Sequence, residues 1–164
     1  MDLEFLLGLQ KIKGISDYQF GPDITNIIFE NEDKIRLEKS RNTNKIRFIY
    51  YDEDNLILTL RPTNGFFTLS LFSAEKIIRN TKTPRMRVVI LTEVSEFIKK
   101  KGNVFCKHVI DVDNKLRPLD EVIVVNQNDE LLGIGRLKLP VPYLRSFTSG
   151  VAVNVRKGVY KNSN

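Results

Sequence analysis

After Gly102, four β-patterned stretches follow one another with little between them: "VFCKHVIDV", "DEVIVVN", "ELLGIGRLKL" and "GVAVNVRKGVY". So many short strands in under eighty residues have few ways to hide their edges, and closing on themselves as a small mixed-topology β-barrel is the direct one. The joining segments agree: "NKLRPL" reads as a turn, "NQND" as a hairpin loop and "PYLRSF" as a short helical segment. Ahead of them, "RVVIL" at 87–91 has the pattern of a buried strand. "TEVSEFIKKKG" then predicts a small helix, with Thr92 as N-cap, Ser95 and Glu96 in the first turn, lysines in the last and Gly102 as the stop. The barrel is expected over residues 84–160, with "KNSN" at 161–164 as a tail.

The first half has a different rhythm. "LEFLLGLQKIK" at 3–13 places Leu3, Phe5, Leu6, Leu7 and Leu9 at roughly helical spacing, despite Gly8. "NIIFE" (26–30), "KIRLE" (34–38), "KIRFIYY" (45–51) and "LILTL" (56–60) read as strands separated by polar turns such as "SRNTN" and "DEDN". In "RPTNGFFTLS", Pro62 and Gly65 set a turn, and Phe66 and Phe67 are expected to fill core on opposite faces of a strand. "LFSAEKIIRN" predicts a helix of about two turns with Ser73 as N-cap, and "NTKTPRM" at 80–86 a linker. The overall expectation is α+β: an N-terminal α+β domain over 1–83, then the barrel.

The 164 residues and 41% hydrophobic content suffice for a core. No run of eighteen apolar residues crosses a membrane, and acidic "MDLEFLLGLQ" is unlike a secretory signal, so a soluble cytoplasmic protein with no membrane partner is expected. One cysteine, Cys106, excludes an intrachain disulfide and a zinc site built on several thiolates. No metal and no cofactor are expected.

Charge separates the halves. Residues 1–83 hold 12 basic and 12 acidic side chains and residues 84–164 hold 14 and 8, so the net +6 lies wholly in the second half. Concentration of positive charge on one module is the electrostatic footprint of a polyanion-binding protein. The competing account is a generally Lys- and Glu-rich surface, which the balanced first half argues against.

The run "KKKGN" at 99–103 reads two ways. Lysines complement the dipole at a helix end, which is a solvated structural role. A glycine loop flanked by ammonium groups also holds phosphate, because backbone N–H groups approach an anion closely there. Lys99, Lys100, Lys101, Gly102, Asn103 and Lys107 are therefore the candidate phosphate contacts, with Arg117 and Arg136 as second-tier basic residues. A surface ion pair with Asp120 or Glu121 explains Arg117 equally well. Tyr160 suits either base stacking or packing.

"GNVFCKHVIDVDNKLRPLDEVIVVNQNDELLGIGRLKLP" followed by "FTSGVAVNVRKGV" resembles a PUA domain, an RNA-binding module. It is most similar to that of archaeal tRNA-guanine (archaeosine) transglycosylases, and "SDYQFG", "TLRPTNGFFTLS" and "AEKII" resemble the domain preceding PUA in those enzymes. The resemblance implies that the loop after the first barrel helix and the last strand together grip RNA. That brings Arg156 and Lys157 into the site and raises Lys107 above a solvated lysine. It also implies structured RNA, tRNA near its acceptor end, as partner, with ribosomal RNA as a further candidate ligand. The transglycosylase barrel with its catalytic aspartates and zinc ligands needs roughly 250 residues of its own. The expectation is thus a free-standing RNA-handling portion without catalysis, acting alone or as accessory subunit to a separate catalytic chain.

Other patterns carry less. "GIGR" lacks the third glycine of a dinucleotide fingerprint and lies between strand patterns, so Gly133 and Gly135 are expected to permit a bulge or tight corner. Asp111 and Asp113 in "DVD" lack further metal ligands and read as a solvated edge. Cys106 and His108 share a face of a regular strand, but with no second histidine or orienting acid they read as a partly buried pair rather than nucleophile and base.

Overall fold

The computed structural model describes residues 2–160; the tail at 161–164 lies outside them. The chain divides into two compact units, Met1–Asn80 and Thr81–Asn164. The fold is α+β: helices and a meander in the first unit, a nearly closed mixed β-barrel in the second.

In the first unit, α1 runs over Leu3–Phe20, α2 over Pro22–Ile28 and α3 over Leu71–Asn80. Four antiparallel strands, β1 (Ile35–Lys39), β2 (Ile46–Tyr51), β3 (Asn55–Leu60) and β4 (Phe67–Leu69), pair in sequence order. Asp2 caps α1 by accepting from Phe5 N. Leu9, Ile12, Ser16 and Phe20 form its buried stripe, whereas Leu3 and Leu7 are 70% and 58% exposed, so of the leucines at helical spacing only Leu9 reaches the core. Gly8 is no defect: a Cβ there would come within 2.9 Å of Ile46 and 3.2 Å of Leu37, so its bare backbone lets helix and sheet approach.

Three expectations fail here for local reasons. "NIIFE" is the end of a helix and the turn after it, not strand, because Pro22 opens α2 after Gly21 (φ 99) and Ile24 and Ile28, one turn apart, bury together. The cap of α3 is Ser70, whose hydroxyl accepts from Ser73 N at 3.1 Å while Ser73 Oγ accepts from Ser70 N at 3.0 Å, a reciprocal box. Of the phenylalanine pair only Phe67 is core; Phe66 is exposed and stacks on Tyr18 at 6.1 Å.

The barrel comprises β5 (Arg87–Ile90), β6 (Val104–Phe105), β7 (Val109–Val112), β8 (Glu121–Val125), β9 (Leu131–Leu137) and β10 (Val151–Gly158), in the order β6-β10-β9-β8-β5-β7. Only the pairing of β5 with β8 is parallel. Two short helices, α4 (Ser95–Lys99) and α5 (Val141–Ser146), turn Ile98 and Val141 with Leu144 onto a core of Val88, Ile90, Val122, Val124, Leu132 and Val153. A fully buried Arg87 ties the segment before β5 to the barrel. It donates to Thr81 Oγ1 and Arg85 O, each at 2.9 Å, and pairs with Asp129 at 2.7 Å.

"VFCKHVIDV" is not one strand. Cys106–His108 form a 3-10 turn between β6 and β7, fixed where Cys106 N donates to Gly150 O at 2.9 Å. Cys106 and His108 therefore share no strand face: the thiol is buried, which raises its pKa, and the imidazole meets the Phe105 ring edge-on. Asp113 is no solvated edge either; its buried carboxylate accepts from Met86 N and Lys115 N. Among the described residues no group of three or more His, Cys, Asp or Glu side chains suits a metal, and no helix is long and apolar enough to cross a membrane.

Candidate nucleic-acid interface

The lysine run breaks across a helix end. Lys99 closes α4, Lys101 takes the left-handed conformation (φ 75), and Lys101 N and Gly102 N donate back to Ile98 O and Phe97 O, each at 2.9 Å. This is a Schellman stop in which a lysine, not the expected glycine, holds the left-handed position, at a cost on the order of 1 kcal/mol. Gly102 answers a different demand. A Cβ there would lie 2.4 Å from the Phe97 ring, which folds over the loop.

The next residue hands the loop to the barrel. Asn103 Oδ1 accepts from Val155 N at 3.0 Å, extending the ladder between β6 and β10 past its last backbone pair. Beyond Val155 the register slips: Val155 faces Gly135, Lys157 faces Ile134, and Arg156 is the extra residue of a bulge. Gly135 and Gly133 make that bulge possible. A Cβ on Gly135 would sit 2.2 Å from Asn154 O, and one on Gly133 2.8 Å from Lys157 O. The "GIGR" glycines thus serve the bulge on the neighbouring strand, and Gly133 also borders one on its own strand, where Leu132 is the extra residue against β8.

Not all the expected cations are available. Lys99 is nearly covered and held by Glu130 at 2.7 Å, with Glu96 at 3.5 Å; the Glu130 bond raises the lysine pKa and lowers that of Glu130. Tyr160 completes this cluster, donating from its hydroxyl to Glu96 at 2.8 Å with Lys99 over its ring. Arg156 Nη1 donates to both carboxylate oxygens of Glu121. Burial pushes Glu121 up to about 7, with Arg156 pulling the other way. Arg136 lies directly across from Glu121 on one side and Asn154 on the other. Arg117 uses its backbone N–H, not its guanidinium, to bond Asp120 at 2.8 Å.

Lys100, Lys101, Lys107 and Lys157 are exposed, and no ion pair holds any of them among the described residues. They flank the β6 and β10 edge. Lys100 and Lys101 lie in the loop that Asn103 ties to Val155, Lys157 lies just past the bulge, and Lys107 lies in the turn after Phe105, which pairs with Val151. From Val151 to Val155 is about 13 Å at strand rise, so the four cations border a strip rather than one pocket. Sequence reasoning offered Glu121 to Arg117 rather than to Arg156 and missed Glu130 altogether; the signal for Glu121 was one carboxylate at the head of an otherwise apolar strand, "EVIVV".

Two family models cover the chain: the patch-forming domain C2 of tRNA-guanine transglycosylase matches residues 10–84, and the PUA domain matches residues 86–159. The tRNA-guanine(15) transglycosylase of Methanothermobacter thermautotrophicus is 39% identical over 150 residues, covering 92% of this chain and 22% of the relative. That of Thermococcus onnurineus is 40% identical over 150 residues, covering 92% and 25%. The chain thus spans about a quarter or less of these relatives. In fold it is similar to a hypothetical protein of Pyrococcus horikoshii OT3 (TM-score 0.70, 16% identity, 95% of this chain and 92% of that one). A PUA domain protein of Thermoplasma acidophilum is similar too (TM-score 0.64, 13% identity, 94% and 92%).

Proposed function

We propose that this chain, which belongs to the PUA-domain proteins and carries a patch-forming C2 domain ahead of its PUA barrel, binds structured RNA without catalysis of its own. The partner is tRNA, gripped near its acceptor end. The observation that carries this reading is the strip of unpaired cations, Lys100, Lys101, Lys107 and Lys157, along the β6 and β10 edge, in a half that holds the entire net charge. Exposed ammonium groups without partners neutralise phosphates at little desolvation cost, whereas Lys99 and Arg156 would first have to leave carboxylates. Those two, with Gly102, Asn103 and Arg136, shape the strip.

Crosslinking the chain to cellular RNA and sequencing the recovered species tests it. Enrichment of tRNA acceptor ends is expected; recovery in proportion to RNA abundance would contradict it.

A second reading is supported by the identity to tRNA-guanine(15) transglycosylases: the chain serves as the RNA-handling part of a tRNA-modifying complex together with a separate catalytic partner. A stoichiometric catalytic partner in native pull-downs is the expected result, and turnover on tRNA by the purified chain alone would overturn both readings.

A further inference from the structure

The sheet of the first unit has two edges, β1 and β4, and closes only one of them. At β4 the Gln19 side chain stands in for a neighbouring strand: its Nε2 donates to Phe67 O at 2.8 Å and its Oε1 accepts from Phe67 N at 2.7 Å. At β1, Asp52 N donates to Lys34 O and Ser40 N to Lys45 O, each at 2.8 Å, so the even-numbered residues of the strand turn their main chain to β2. Leu37 and Lys39 therefore aim theirs outward, and among the described residues no hydrogen bond from another element reaches it. A lysine normally guards such an edge by its charge, but Lys39 is paired with Glu4 of α1. Apolar side chains overhang the same edge. α1 turns Glu4 and Gly8 toward β1, where Glu4 meets Lys39 and Gly8 lies against Leu37. At 3.6 residues per turn, Leu7 and Leu3 come next around the helix, on the side away from its buried stripe.

We infer that β1 is a dimerisation edge, and that its occupant is β1 of a second copy of this chain, run antiparallel about Leu37. The strand is complementary to itself in that register. Leu37 stands opposite its mate, with N–H and C=O bonding in both directions, and Lys39 N reaches Ile35 O of the second copy; Ile35 N is already used, donating to Glu32 O. Arg36 stands opposite Glu38 of the second copy. These two exposed side chains already meet at 3.0 Å within one chain, so the joined strands carry a ring of charges alternating in sign. The two α1 helices lie on the same face of the joined sheet, and Leu3 and Leu7 of each approach across the axis. A strand of unrelated sequence offers neither the charge register nor the leucines. The two-fold axis closes the assembly at two copies, leaving a continuous sheet whose remaining edges are the β4 strands that Gln19 covers.

This inference goes beyond the RNA-binding reading and does not depend on it. Sedimentation equilibrium of the purified full chain over a dilution series tests it, without RNA. The wild type should pass from twice the chain mass to the chain mass on dilution. R36E and E38R each set like charges opposite one another at both symmetry-related positions, and each should weaken the dimer roughly tenfold; the double variant R36E/E38R restores opposite signs and should recover it. L7K alters a side chain that is exposed in the single chain, so it should abolish the dimer while leaving the thermal midpoint of the dilute protein unchanged. Single-chain mass at every concentration, or growth beyond two copies, overturns the proposal. So does a dimer that L7K leaves intact, or one that the double charge swap fails to recover while its circular dichroism remains that of the wild type.

Discussion

Arg156 and Glu121, thirty-five residues apart in sequence, are joined by one guanidinium nitrogen that donates to both carboxylate oxygens, at 2.8 and 2.9 Å, with the carboxylate 3% exposed. Burial nevertheless outweighs the arginine and raises the carboxyl from 4.5 to about 7. The folded state then holds the proton more tightly than the unfolded chain does. Glu121's stabilising contribution is therefore intact below about pH 4.5 and is lost as pH rises through about 7. Denaturant titrations of the wild type and E121Q should show the wild type losing ground to the variant across that window. An opposite slope would mean that attraction to Arg156 outweighs burial.

The same pairing separates the cations in RNA binding. K100A, K101A, K107A and K157A should each lower the salt slope of RNA affinity by about 0.7, as expected per phosphate contact. K99A and R156A should lower stability and leave that slope nearly unchanged. Equal slope changes for all six variants would show that the ion pairs open on binding.

Gly135 and Gly102 predict different costs. A methyl group at Gly135 meets the backbone of Asn154 and Val155, neither of which can move without breaking the bulge, so G135A should cost about 3 kcal/mol or more. At Gly102 the obstacle is the half-exposed Phe97 ring, which can swing aside, so G102A should cost about 1 kcal/mol. Chemical denaturation gives both values.

Arg87 is the most deeply buried charged side chain among the described residues of the barrel. R87A leaves Asp129 and the carbonyls of Thr81 and Arg85 without their donor, and should destabilise the second unit by about 3–5 kcal/mol. A loss below about 1 kcal/mol, read from the same denaturation curves, would show that water replaces the guanidinium.

The barrel was legible because its signals are local: apolar runs, turn residues between them, and the polar loop at 126–129 that joins β8 to β9. Where local signals were ambiguous, longer-range ones decided. "NIIFE" is too short to separate helix from strand, and the break at Cys106 is fixed by Gly150, over forty residues away in sequence. The candidate site was legible as composition but not as geometry. Its lysines were visible as a run, but Lys99 is withdrawn by Glu130 and Arg156 by Glu121, partners that only the closed barrel brings near. Cross-strand pairings of that kind leave no spacing to read.

The most direct test of the account is the affinity of the wild type and of the K100A/K101A/K107A/K157A variant for tRNA across a salt series, with a tRNA lacking its 3′ acceptor strand as control. The account predicts a shallower slope for the variant, by roughly 0.7 for each of its four lysines, with stability preserved and with the wild type preferring the intact tRNA. An unchanged slope, or equal affinity for both tRNAs, would contradict it.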